Sequence, residues 1–118
     1  MGPLDATQQA LQQALSGASL RQQVLANNIA NANTPGYQRS DVNFHSQLAA
    51  ALESGNGASN VSFSPQLDPN GPTQANGNNV DVDSEMSDLS QNALDYESLV
   101  EVANARLKMV QIAIGSGQ

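Results

Sequence analysis

At 118 residues, with two Phe, two Tyr and no Trp in a 39% apolar composition, the chain amounts to one domain at most and lacks the aromatic bulk for a thick globular core. Its formal charge is −7, and residues 40–105 carry ten acidic side chains and no Lys or Arg, a surface that repels nucleic-acid phosphates and anionic lipid headgroups. The absence of cysteine excludes disulfides and thiolate chemistry, and no apolar run is long enough for direct membrane insertion.

Residues 1–33 read as a first long helix. Leu11, Leu15, Ala18, Gln22, Leu25, Ile29 and Ala32 alternate spacings of four and three, a heptad seam with one polar knob at Gln22. Leu4 extends the stripe, and Asp5 places a negative charge near the positive helix start. Gly17 weakens the helix interior by about 1 kcal/mol relative to Ala. Residues 1–15 have neither a basic leader nor a continuous apolar core, so no cleavable secretory signal is predicted there.

The helix has to stop near Asn33. Pro35 lacks the N–H that a helix requires and drives Thr34 out of helical geometry, while Gly36 can take a positive φ and turn the chain. A second, short helix is expected from Asp41 as N-cap to Glu53, with Phe44, Leu48 and Leu52 on one face, closing a unit of motif loop and short helix over 34–53. Residues 54–79 are rich in Gly, Asn, Ser and Pro and include the turn signal Asp68-Pro69-Asn70-Gly71; they read as a flexible variable segment. Only Val61 and Phe63 alternate there as a strand would, too short a pattern to carry a sheet.

Residues 80–118 hold the cleaner seam. Met86, Leu89, Ala93, Tyr96, Val100, Ala103, Leu107, Val110 and Ile114 keep a strict heptad register, with Asp83 or Ser84 as cap and Gly115 as terminator. Leu99, Val102, Met109 and Ile112 lie off this seam and form a second apolar stripe that one partner helix leaves uncovered. At 1.5 Å per residue the helical stretches 4–32 and 84–114 would span roughly 43 and 46 Å. The expected fold is all-α: an antiparallel coiled-coil hairpin of terminal helices, with a short middle helix and a flexible segment, as one structural unit.

No constellation supports an enzyme. His45 is the single histidine and has no metal-ligand spacing around it. The stretch Asp81-Val82-Asp83-Ser84-Glu85 opens like a calcium loop, but Met86 stands where that loop needs Gly and Asn92 where it needs the bidentate Glu. No catalytic, cofactor-binding or metal residues are assigned.

One stretch carries more information than the rest. Ala26-Asn27-Asn28-Ile29-Ala30-Asn31-Ala32-Asn33-Thr34-Pro35-Gly36-Tyr37 resembles the signature of the bacterial flagellar rod and hook proteins. The run from Asn78 to Glu85, continuing into Asn92-Ala93-Leu94-Asp95-Tyr96, is similar to the C-terminal helix start of a short, proximal-rod branch of that family. The resemblance implies a structural rod subunit of the flagellar basal body. Such a subunit is exported through the flagellar type III apparatus without a cleaved signal, and it joins copies of itself and other rod proteins into a torque-transmitting shaft across the periplasm. It further implies an assembly motif at Asn27, Asn28, Asn31, Asn33, Thr34, Pro35, Gly36 and Tyr37, with the Asn amides available to neighbouring subunits. Two alternatives stay open: a type C proximal rod protein, and a helical export chaperone or secreted coiled-coil adaptor.

Overall fold

Nothing breaks the helical pattern before the Pro35 turn, and a computed structural model, which describes residues 3–54, 61–69 and 71–116, forms α1 over Pro3–Ala30. The chain then turns through residues 31–36, runs through a two-residue strand β1 (Ser40–Asp41), and enters α2 (Phe44–Glu53). Strand β2 (Gln66–Leu67) pairs antiparallel with β1, Ser40 opposite Leu67 and Asp41 opposite Gln66. The chain ends in α3 (Val82–Ser116), 35 residues against the 28 of α1.

The architecture is the expected all-α hairpin. Asn28 bonds Glu85, and Asn92 bonds Ala18 and Gln22, so the residue number on α3 rises as that on α1 falls and the pair is antiparallel. The molecule is correspondingly elongated, 67 × 27 × 15 Å.

The apolar core is small and lies where α1, α2 and α3 meet. Ala14, Ala18, Val42 and Phe44 are buried in it, with Leu20, Val24, Leu48, Phe63 and Leu99 packed against them. Phe63 meets Phe44 edge to face at 6.5 Å between ring centroids, a favoured aromatic geometry. Gly17 explains itself here: a Cβ on it would come within 2.5 Å of the Phe44 Cβ. The residue that weakens the helix locally is what lets α2 approach α1.

Several local expectations are revised. The cap of α2 is Asn43, whose Oδ1 accepts from Ser46 N, whereas Asp41 belongs to β1. Leu52 is exposed, because the core ends before the last turn of α2. Asp81 takes the capping role given to Asp83 or Ser84, its Oδ1 accepting from both of their backbone N–H groups. Gly115 lies within α3, which continues to Ser116. Of the segment expected to be flexible, residues 55–60 and 70 lie outside the described residues, while Phe63 joins the core and Asn78 and Asn79 are buried.

The largest revision concerns the seam. On α3 the buried positions are Glu85, Asn92 and Ala103, with Leu89, Leu99, Val100, Arg106 and Val110 partly covered. Met86, Tyr96, Leu107 and Ile114 of the predicted seam are exposed. The face turned to α1 is therefore rotated by about one residue, so that the line 85–92–99–106 looks inward while Met86, Ala93 and Leu107 turn outward and Val100 stays partly covered at the edge. On α1, Leu25 and Ala32 are buried, and Leu11, Leu15 and Ile29 are half-buried. Leu99 leaves the second apolar stripe for the core, whereas Val102, Met109 and Ile112 do face solvent.

Candidate functional site

The end of α1 leaves carbonyls without helical partners, and the chain meets them with a residue from far downstream. Buried Asn78 donates through Nδ2 to the carbonyls of Asn31 and Thr34, both at 2.8 Å, and so closes the helix end from outside. Within the turn, Asn31 Nδ2 donates to the Asn27 carbonyl at 2.8 Å, and the Thr34 hydroxyl donates to Asn31 Oδ1 at 3.2 Å. Gly36 has φ 75° and donates its N–H to the Asn76 carbonyl at 2.9 Å. Gly77, also at positive φ (86°), packs on it closely: a Cβ there would stand 3.4 Å from the Gly36 Cα.

Asn28 is the pivot. Its Nδ2 donates to the Ser40 carbonyl (2.7 Å) and to Glu85 Oε2 (3.2 Å). Its Oδ1 accepts from Ser40 N (3.0 Å) and from the Tyr37 hydroxyl (3.1 Å). All four hydrogen bonds of the amide are made inside the chain, and the residue is fully buried, so Asn28 has none to offer a neighbour. Asn27 turns outward and donates to the Tyr37 hydroxyl at 3.1 Å. Asn33, Thr34, Pro35 and Gly36 form the exposed crest of the turn.

Arg39 ties this turn to α3. Its guanidinium pairs with buried Glu85 and with Asp68, and lies 3.5 Å from Asp41 and 3.9 Å from Asp88. Its backbone N–H donates to Asn79 Oδ1 at 2.6 Å, and Asn79 Nδ2 donates onward to the Asp68 carbonyl at 2.8 Å. Arg21 from α1 grips both oxygens of Asp41, at 2.8 and 3.2 Å. Burial works against the charge on Arg39, but the Glu85 hydrogen bond and the surrounding carboxylates outweigh it and raise its pKa further. Burial likewise opposes the charge on Asp41; the hydrogen bonds from Arg21 and from Val42 N prevail and hold its pKa below 3.8.

The sequence motif and the stretch beginning at Asn78 are thus parts of one junction. Sequence reasoning passed over Arg39, Arg21 and Glu85. The signal was present: Arg39 is the last base before an acidic stretch that runs to residue 105. Glu85 enters the sequence reading only as a member of the calcium-like stretch and of the run that begins at Asn78. His45 lies apart from the junction, exposed on α2, with Nε2 2.8 Å from Asp95 Oδ2 on α3. Among the described residues no cluster of His, Cys, Asp or Glu is arranged to hold a metal ion, and no helix is long and apolar enough to cross a membrane.

Comparison with known proteins converges on one family. A family model described as flagella basal body rod protein matches residues 4–38, the span of α1 and its turn. Over 129 aligned residues the chain is 37% identical to flagellar basal body rod protein FlgB of Bacillus subtilis strain 168, with 100% of both chains covered. It is 32% identical over 133 residues to FlgB of Escherichia coli K12, covering 97% of this chain and 96% of that one. Against FlgB of Aeromonas hydrophila the identity is 38% over 109 residues, with 81% and 83% covered.

Proposed function

Since this chain belongs to the FlgB family of flagellar basal body rod proteins, we propose that its motif junction fixes the angle at which the chain leaves the hairpin, and so the way one subunit seats on the next. The protein is a structural subunit of the proximal rod, located in the flagellar basal body with other flagellar proteins, and it is not an enzyme. The full-length similarity to FlgB proteins favours neither a type C rod protein nor an export chaperone or adaptor.

The finer reading is ours. The subunit joins copies of itself through the outward face of α3 and the crest Asn33-Thr34-Pro35-Gly36, and it travels through the flagellar type III apparatus without a cleaved signal. The supporting observation is that Asn28, Asn78 and Glu85, three buried polar residues from distant parts of the chain, are spent on holding a single exposed turn. So much buried hydrogen bonding around a turn gives it one defined shape, as an assembly contact requires.

Gly36→Val tests this in the source bacterium. A β-branched residue opposes φ 75° strongly, while Asn tolerates that region. Cells carrying Gly36→Val should express and export the subunit yet assemble no rods and fail to swim, with Gly36→Asn milder. Normal swimming with Gly36→Val would show that the turn only terminates a helix.

A further inference from the structure

Helix α3 carries two heptad lines one residue apart, and the hairpin buries the less apolar of the two. The line 86–93–100–107–114 reads Met, Ala, Val, Leu, Ile; the line 85–92–99–106 reads Glu, Asn, Leu, Arg. Both share Leu89, Tyr96, Ala103 and Val110 as their second row. Hydrophobic burial alone favours the first line against α1, because it removes more apolar surface from water and strands no polar group. The structure does the opposite: Glu85 and Asn92 are each 1% exposed, while Met86 is 53% and Leu107 48% exposed.

Asn92 is the informative member of the inward line. Its Nδ2 donates to the Ala18 carbonyl and to Gln22 Oε1, each at 2.8 Å, which ties it to one place on α1. Its Oδ1 is buried without a protein hydrogen-bond partner. An orphaned acceptor lowers stability, so the residue is a poor choice if packing strength were its only use. A buried amide in a helical seam has another use: it is satisfied in one rotational setting and one register, and it penalises the others.

We propose that Asn92 is a register-selecting residue, which holds the polar line of α3 against α1 and thereby keeps the apolar line facing outward. The inference concerns the isolated chain and stands whether or not the outward face is what joins subunits in the rod. Arg106, two steps further along the same line, is half-covered with a buried Nε, so the inward setting is kept beyond Asn92 as well.

The test places Asn92→Leu in the full chain beside a reporter thiol, Leu107→Cys, in a protein that has no other cysteine. With Asn92 present, the reporter on the exposed line reacts with a maleimide in one fast phase. With Leu at 92, the melting temperature of the helical signal should hold or rise, and thiol reaction should either slow several-fold in one phase or split into a fast and a retarded phase, as α3 also samples the setting that buries residue 107. A fall in melting temperature overturns the proposal whatever the thiol does, because Asn92 would then serve stability. A single fast phase with stability kept overturns it too, because the setting would be fixed without Asn92.

Discussion

Gly17 and Asp41 are the two residues whose replacement best separates packing from charge in this chain. Adding a methyl at Gly17 drives it into the Cβ and Cγ of Phe44, 2.5 and 2.8 Å away, and Phe44 is buried. Gly17→Ala should therefore destabilise the chain by about 1–3 kcal/mol, the usual range for overpacking, although Ala is the better helix former. Urea denaturation measures it; a gain in stability would mean that α2 does not sit on α1 as described. Asp41 acts through pH. Its pKa is lower in the folded chain than the ordinary 3.8, so its contribution is fully present above that value and is lost as pH falls through the folded one. Stability should thus decline below about pH 4, and Asp41→Asn should make that decline shallower. Arg21 and Arg39, with pKa values raised further, stay charged throughout and add nothing to the acid slope. The Gly36 turn was legible from Thr34-Pro35-Gly36 alone, because both constraints are local to the backbone. The Asn28–Glu85 contact was not, because nothing local links residues 57 apart in sequence.

At the scale of elements, the three helices were legible in the periodicity, and their pairing in the comparable length of the outer two. The rotation of α3 was not. Periodicity reports which face is most apolar, and in this chain that face is not the one that meets α1. The two short strands escaped for a different reason: two-residue strands leave no alternating pattern, and the Ser40–Asp41 pairing with Gln66–Leu67 is flanked by the Arg39–Asp68 ion pair, a contact between residues 29 apart in sequence. The register yields a direct check. Gln22 and Asn92 touch, so cysteines there should cross-link within one chain. Cysteines at Leu15 and Val110 should not, because the same register sets Leu15 opposite roughly residue 98, about 18 Å from Val110 at 1.5 Å per residue. Efficient cross-linking of the second pair would refute the register.

For the molecule as a whole, the unequal helices matter most. Continuing the register places the start of α1 opposite roughly residue 110, so the last turns of α3 project past it. Met109, Ile112 and Ile114 there are 66%, 68% and 63% exposed, apolar side chains spread around the helix end and largely in solvent. Replacing all three with Ser should leave the unfolding of the isolated chain nearly unchanged and abolish incorporation into rods, scored by isolating basal bodies. Incorporation at normal levels would place the subunit contacts elsewhere. The junction has a further consequence, in time. Asn28 is bound by Glu85, and the end of α1 by Asn78, so the turn owes its shape to residues that are synthesised, or leave a narrow conduit, long after it. Contacts of such long sequence separation carry a loop-closure cost that local helix formation does not, and they form late. A chain emerging from its N-terminus presents α1 first, with its signature still unshaped. The crest acquires its geometry only when residue 85 has arrived, so a partly emerged chain cannot display the turn in its finished shape.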